Sequence, residues 1–244
     1  MRVMRIGDRQ SRVTADVRAA LTAFGRGDAD VGGLAIAGLT LPGDTSPIEG
    51  LVVRPNGIFL VFGVDLADPT MRLVAPLNAP WTADGWPVAA PGADPNPATR
   101  LLASARVAAG RLRSLAKAEL PVGVIIAVGP YAHTVEVPDG AIEPAVHILY
   151  PTPASFRAVL SKRLPGSEPG ARPCTVEQAR AVLRGLLPET APPDADQLVA
   201  EGFGHAVAAS ARQSSAATPS SPEHRAKPVR VGVQRFLPRR RPRR

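Results

Sequence analysis

The order of apolar and polar positions along the chain predicts a succession of helices and strands. From Ser11 to Phe24, apolar residues recur at helical spacing, and Gly25 follows them as a candidate C-cap. This segment predicts a first amphipathic helix. The run from Gly33 to Leu41 is short and β-prone, and predicts the first strand.

Two apolar runs in the middle of the chain predict a β-hairpin. They are Ile48 to Val53 and Ile58 to Val64, separated by the turn sequence Arg54-Pro55-Asn56-Gly57. Asn-Gly between two apolar runs is among the stronger short-range signals for a hairpin, because both residues tolerate positive φ.

The rest of the chain predicts further helices and strands. Residues 75–99 are rich in Pro, Asp and Asn, and predict a loop with at most one strand. The later predictions are a helix opened by Asn96-Pro97 and running to about Lys117, strands at Val122 to Val128 and Val146 to Tyr150, an edge strand near Thr134 to Val137, and helices at Pro153 to Arg163 and Thr175 to Leu187. This order favours an α/β or α+β domain with a sheet flanked by helices.

The composition changes after Pro188, where Pro, Ala, Ser and Asp dominate. From about Ser210, the apolar periodicity is too weak to specify a packed element. The sequence therefore predicts a globular domain at residues 1–200 and a disordered Pro/Ser/Arg-rich tail at 201–244.

The net charge of +8 lies entirely in the tail. Residues 221–244 hold nine basic residues and one acidic residue, whereas the remaining residues hold 20 of each sign. The arginines that concentrate this charge are Arg230, Arg235, Arg239, Arg240, Arg241, Arg243 and Arg244. Such a segment attracts polyanions, so we expect DNA or RNA as its partner, with an acidic protein or an anionic membrane surface as alternatives.

Several classes of chemistry find little support in the residues. The single cysteine, Cys174, favours a reducing cytoplasm, and the N-terminus has no apolar signal region. The apolar runs are of strand length, so no transmembrane segment is expected. The four His are far apart, no phosphate-binding or dinucleotide-binding glycine motif occurs, and no cofactor is expected.

Trp81 and Trp86 are expected to anchor their loop by packing, with base stacking as the alternative.

The hairpin segment resembles a known nuclease-related family. The stretch Ser46-Pro47-Ile48-Glu49-Gly50-Leu51-Val52-Val53-Arg54-Pro55-Asn56-Gly57-Ile58-Phe59-Leu60-Val61 is similar to the NERD (nuclease-related) domain of bacteria, which has a Glu-Ile-Asp triplet, an apolar strand, a Pro/Gly turn and a second apolar strand. Asn96-Pro97-Ala98-Thr99-Arg100 is similar to the Asn-Pro and Gln that open a long helix in that family. The resemblance covers about residues 8–130 and implies the restriction-endonuclease-like mixed sheet of PD-(D/E)XK nucleases.

The resemblance implies where the catalytic groups of such a nuclease would stand. In that family, two carboxylates from adjacent strands hold Mg²⁺, and a Lys two residues after the second carboxylate completes the site. Glu49 stands at the first carboxylate position, Phe62 at the second, and Val64 at the Lys position. Two of the three groups are therefore absent.

Two other carboxylates are candidates for a relic site. Asp65 follows the Lys position, and in a regular strand it faces the same side as Gly63, so it reaches the metal position only through a bulge. Asp16 lies near the place where the family has an acidic residue on its first helix.

These observations predict a catalytically inactive, nuclease-like domain that binds nucleic acid or scaffolds a complex. The first alternative is a divergent Mg²⁺-dependent nuclease that uses Glu49, Asp65 and Asp16. The second is an interaction protein that docks on an anionic membrane surface or an acidic partner.

Overall fold

The computed structural model describes residues 2–5, 12–27, 32–39, 47–88, 95–138, 145–162, 164 and 174–204. Its elements in chain order are β1 (Arg2–Arg5), α1 (Arg12–Gly27), β2 (Leu34–Leu39), β3 (Ile48–Arg54), β4 (Gly57–Asp65), β5 (Thr70–Val74), β6 (Thr82–Ala83), β7 (Trp86–Pro87), α2 (Pro97–Ala116), β8 (Val122–Gly129), β9 (Ala132–Glu136), β10 (Val146–Leu149), α3 (Pro153–Leu160), α4 (Val176–Leu186) and α5 (Ala195–Ala200). The chain divides into two units, Met1–Ala206 and Val207–Arg244, and the second lies outside the described residues.

Six strands form the larger sheet in the order β1-β2-β3-β4-β8-β10. β3 is antiparallel to both of its neighbours, and the other pairs are parallel. The carboxyl ends of β4, β8 and β10 therefore share one edge of the sheet with the amino end of β3. The predicted mixed sheet with flanking helices is confirmed.

The predicted hairpin is confirmed as β3 and β4. Arg54 pairs with Gly57, so that Pro55 and Asn56 form the turn. Gly57 has a φ of 138°, in the region that favours glycine. A side chain at this position would also meet Leu164 and the Pro121 carbonyl at 2.6 Å.

Helices cover both faces of the six-stranded sheet. α1 and α3 pack on one side, called here the α1 face, against strand residues that include Val52, Phe59 and Val61. α2 packs on the other side, the α2 face, against residues that include Leu60 and Phe62, and α4 packs on α2. Alternation along each strand sends neighbouring side chains into these two cores.

The predicted helix starts are confirmed. The side chain of Asn96 accepts a hydrogen bond from the Thr99 N–H at the start of α2, next to Pro97 in the first turn. Thr175 and Gln178 form the capping box of α4. Among the described helices, none is both long enough and apolar enough to cross a membrane.

A second sheet replaces part of the predicted loop at residues 75–99. It has four strands in the order β7-β6-β5-β9, which places β9 at an edge, as predicted. β6 and β7 form a hairpin whose turn residues, Asp84 and Gly85, have φ values of 51° and 87°. The Asp84 carboxylate accepts hydrogen bonds from the N–H groups of Met71 and Arg72, at 3.2 and 2.8 Å. These hydrogen bonds connect the turn of the β6–β7 hairpin to β5.

Four further elements differ from the prediction. β1, β5 and α5 were not predicted, and α1 continues to Gly27, beyond the expected cap at Gly25. After α5, Phe203 is 1% exposed, and the Gly204 carbonyl accepts a hydrogen bond from the Val176 N–H at 2.9 Å. Short elements with few apolar residues leave little periodicity in a sequence, and packing contacts with the rest of the domain specify them instead.

Asp84 is expected to control the order of the small sheet. Hydrogen bonds from the Arg72 backbone, the Thr70 side chain and the Met71 backbone lower the pKa of Asp84 below its ordinary value of 3.8. A lowered pKa stabilises the fold above pH 3.8, and this stabilisation is lost as the pH falls through the folded-state pKa.

Asp84→Ala should therefore lower the protection factors of the Met71 and Arg72 amides at pH 7, as measured by hydrogen exchange. The wild type should lose the same protection on acidification below pH 3.8. Asp68→Ala, at a nearby exposed position, is the control. Unchanged protection in Asp84→Ala would contradict this role.

Candidate functional site

The structure brings the three candidate carboxylates to one edge of the six-stranded sheet, under the start of α1. Glu49 is the second residue of β3, Asp65 ends β4, and Asp16 lies near the start of α1. In open sheets of parallel strands, the edge formed by the carboxyl ends is where ligand sites usually lie.

A break in strand alternation places Glu49 on the α1 face. Gly50 also faces α1, because a side chain there would meet Leu21 and Val17. On either side of this pair, Ile48 and Leu51 belong to the core of the α2 face. Two consecutive residues of β3, Glu49 and Gly50, therefore face α1, and the usual alternation of side chains is interrupted between them.

In β2, which pairs with β3, the alternation of side chains is interrupted at the matching position. Ala37 pairs with Gly50 and Leu39 pairs with Ile48, and Gly38 lies between them with a φ of 71°. A glycine inside an apolar strand often marks such an irregularity. Gly38 is therefore the sequence signal that predicts this reversal.

The Glu49 side chain occupies a closed position beneath α1. It is 5% exposed, and its carboxylate accepts a hydrogen bond from the Thr14 hydroxyl. Gly63 makes room for it, because a Cβ at Gly63 would lie 2.9 Å from Glu49 Cγ and 2.3 Å from Val13 Cγ1. Burial of a carboxylate is costly unless it is hydrogen-bonded, so Thr14 is a main stabilising partner.

Asp65 contacts the same end of α1. Its Oδ1 accepts a hydrogen bond from the Val13 N–H at 3.2 Å, within the first turn of the helix. A carboxylate at this position is favoured by the helix dipole. Burial raises the pKa of Asp16, and the negative charge of Asp65 raises it further. Glu49, Asp65 and Asp16 therefore share the α1 face without any bulge in β4.

Phe62 and Val64 lie on the opposite face from Glu49. Phe62 is fully buried and Val64 is 5% exposed, and both belong to the core of the α2 face. The positions that the family resemblance assigns to the second carboxylate and to Lys are thus filled by apolar packing. A restored carboxylate at residue 62 would enter that core and would not meet Glu49.

The residues at this edge do not fit the metal site of the family. Mg²⁺ requires oxygen ligands in near-octahedral geometry, and the Glu49 carboxylate is instead held by Thr14. Within the described ranges, no three His, Cys, Asp or Glu side chains are grouped so that they could hold a metal ion.

Two tyrosines at this edge were missed by the sequence analysis. The rings of Tyr131 and Tyr150 meet edge to face, with centroids 5.3 Å apart, and the Tyr131 hydroxyl lies 3.0 Å from His133 Nδ1. Burial raises the pKa of Tyr150, and the charges of Asp16 and Tyr131 raise it further. Both tyrosines follow the carboxyl ends of parallel neighbouring strands, and this shared placement is the signal that could have found them.

The two tryptophans have different roles. Trp81 is fully buried, and its indole N–H donates to the Pro76 carbonyl at 3.0 Å, which confirms the predicted packing anchor. Trp86 is 77% exposed, so the same prediction is wrong for it. Its ring is available for stacking, the alternative that the sequence left open.

Burial shifts the pKa values of two other titratable residues, His147 and Cys174. Burial lowers the pKa of His147, and the positive charge of Lys162 lowers it further. Burial raises the pKa of the Cys174 thiol to about 12, so this cysteine is protonated at neutral pH and is a poor nucleophile. The tail arginines, Arg230 to Arg244, lie outside the described residues.

Comparison with known proteins adds no relative. No protein-family model, curated protein or solved structure matches the chain. The resemblance to the NERD domain therefore stays a prediction from the sequence.

The absence of a side chain at Gly63 is expected to be essential for the packing of α1 on the sheet. Gly63→Ala forces a methyl group into Val13 and Glu49, and should lower the free energy of unfolding by about 1–3 kcal/mol. Gly110→Ala is the matched control, because no atom lies within 4 Å of its added methyl group. That control should gain about 0.5–1 kcal/mol, since Ala favours the helix interior. Urea unfolding measures both changes, and a Gly63→Ala protein as stable as the wild type would contradict the account.

Restoring the family residues at positions 62 and 64 is expected not to restore cleavage. Phe62→Asp with Val64→Lys places two charges in an apolar core, and should cost at least about 3–5 kcal/mol of stability. Val107→Lys, at a position that is 66% exposed, is the control and should stay within about 0.5 kcal/mol of the wild type. Plasmid nicking in Mg²⁺ and urea unfolding measure the two effects. Metal-dependent nicking that disappears with Glu49→Gln would refute the opposite-face placement.

Proposed function

We propose that the chain is a nuclease-like protein that binds nucleic acid or scaffolds a complex, without metal-dependent cleavage. The observation that carries this proposal is the placement of Glu49 and Phe62 on opposite faces of the sheet. A family-type metal needs ligands from both positions on one side, so their separation supports the absence of family-type cleavage. The charge of the tail supports the binding. The lone cysteine favours a reducing, cytoplasmic location for this function.

The tail supplies the affinity for polyanions in this proposal. Its last fifteen residues hold seven arginines and no acidic residue, whereas the chain outside residues 221–244 is neutral. Arginine binds phosphate through paired N–H donors, and each neutralised phosphate releases bound counterions. Binding should therefore be strongly salt-dependent and largely independent of base sequence.

Fluorescence anisotropy with labelled single- and double-stranded DNA and RNA tests the binding. The full chain should bind with a slope of log K against log salt of roughly −5 to −6, if all seven arginines contact phosphates. A full-length variant with all seven changed to Gln should lose most of this affinity and most of the slope. Equal binding by both proteins, or by neither, would refute the role of the tail.

The same samples test for cleavage. Incubation of the wild type with Mg²⁺ or Mn²⁺ should leave the nucleic acid intact. Cleavage that requires metal and is abolished by Glu49→Ala would instead establish the divergent nuclease. Cleavage unchanged by that substitution would indicate a contaminating enzyme.

Vesicles distinguish nucleic acid from a membrane surface as the target of the tail. Clusters of basic residues gain about 1 kcal/mol per charge near an anionic leaflet. We expect nucleic acid to displace the full chain from vesicles of mixed anionic and zwitterionic lipid. Retention on these vesicles in the presence of excess nucleic acid would favour the membrane-docking alternative.

A further inference from the structure

A groove runs along one side of α2, on the α2 face of the sheet. Its apolar part is a cavity of about 200 Å³. The apolar residues that line it, from α2 and β8, are Leu102, Ala105, Ala109, Val122 and Val124. α4 contacts a different side of α2, where Gly185 lies against Leu115, so the packing of α4 leaves the groove open.

The rim of this α2 groove is basic. Arg106 and Arg113 line the same cavity as the apolar residues. α2 carries four arginines and no acidic residue, and Lys117 follows at its C-cap. Beyond Arg113, the groove continues into a second cavity of about 670 Å³, lined in part by Lys117 and Glu119. The charge of this surface is complementary to that of an acidic ligand.

The present contacts of Arg113 are weak enough to be exchanged. Its Nε donates to the Leu120 carbonyl at 3.1 Å and lies 3.4 Å from a Glu119 carboxylate oxygen. The Glu119 side chain is 92% exposed. Exposed ion pairs of this kind contribute little stability, so an incoming carboxylate can replace Glu119 at small cost.

We propose that the α2 groove binds an acidic peptide segment of a protein partner. One large apolar side chain of the partner enters the 200 Å³ cavity, and its flanking carboxylates pair with Arg106 and Arg113. A buried apolar anchor with a ring of polar contacts is the usual composition of a strong peptide contact. The partner segment then runs along α2 towards Lys117.

The lining of the groove favours a peptide over other anionic ligands. The described lining residues include no aromatic ring on which a base could stack, whereas single-stranded nucleic acids are usually held by aromatic stacking. The apolar cavity of about 200 Å³, taken without the second cavity beyond Arg113, is also smaller than the roughly 300–1,000 Å³ of typical small-molecule sites. Its size suits a single side chain.

Synthetic peptides test this proposal on the full chain. The probe is a fluorescent Glu-Asp-Glu-Leu-Phe-Glu-Asp-Glu peptide, and its matched controls replace Leu-Phe by Ala-Ala or every acid by Lys. The Ala-Ala peptide has the same charge, so it measures the affinity that charge alone provides, at the Arg-rich tail and at the groove arginines. We expect the probe to bind at least tenfold more tightly than either control by fluorescence anisotropy.

Variants of the groove locate the binding. Arg113→Glu and Ala109→Phe, which fills the cavity, should each weaken probe binding at least tenfold. Arg157→Glu, which makes the same charge change on α3, should stay within twofold. Circular dichroism melting confirms that each variant folds, and the surface substitution at Arg113 keeps the test valid where Ala109→Phe does not fold.

Three results would overturn the proposal. They are equal binding of the probe and the Ala-Ala peptide, probe binding unchanged in Arg113→Glu, and loss of single-stranded DNA affinity in Arg113→Glu with no change in probe affinity. The last result would assign the groove to nucleic acid. The first two results are independent of whether the tail arginines bind nucleic acid.

Discussion

The hydrogen bond between Thr14 and Glu49 is the contact on which the edge of the sheet depends. It holds a buried carboxylate beneath the first turns of α1. Val13, in the same turns, packs on the sheet at Gly63 and Gly129, where the strands carry no side chain. A Cβ at Gly129 would lie 2.6 Å from Val13 Cγ2. A buried hydrogen bond and a close apolar fit thus hold the helix against the strands. The loss of either side chain removes a hydrogen bond from a buried site.

This contact also determines what chemistry the edge supports. Glu49 reaches Thr14 only because strand facing reverses at Gly38 and Gly50, and the reversal turns Glu49 away from Phe62. A nuclease of the resembled family needs those two positions to converge on one metal. Here the carboxylate has a structural partner and the second position belongs to the opposite core. The strand-turn-strand segment that resembles a nuclease therefore places Glu49 on one face of the sheet and residue 62 on the other.

Local signals in the sequence predicted much of the fold. Asn56-Gly57 identified the hairpin, and the capping residues of α2 and α4 marked their starts, because these signals act between residues close in sequence. The β6–β7 hairpin was missed, although Asp84-Gly85 is a similar turn signal, because its strands have only two residues each beside the turn. The placement of Glu49 was also missed. It depends on a positive φ at Gly38 in the partner strand and on space left by Gly63, which no pattern within β3 reveals.

The two binding surfaces that we propose, the tail and the α2 groove, differ in how much of the charge they carry. The chain outside residues 221–244 is neutral, yet α2 concentrates four arginines without an acid, so its groove is locally basic. The tail carries the whole net charge of +8. We therefore assign polyanion affinity to the tail and selective recognition of a partner to the groove. Net charge governs long-range attraction, whereas shape and buried contacts govern specificity.

The most direct test of the account is a double-mutant cycle between Thr14 and Glu49. Thr14→Val, Glu49→Gln and the double variant are compared with the wild type by urea unfolding. A buried, charged hydrogen bond should give a coupling free energy of about 1–3 kcal/mol. Additive effects, with coupling below about 0.5 kcal/mol, would show that Glu49 does not face Thr14. That result would contradict the placement of the Glu49 carboxylate beneath α1.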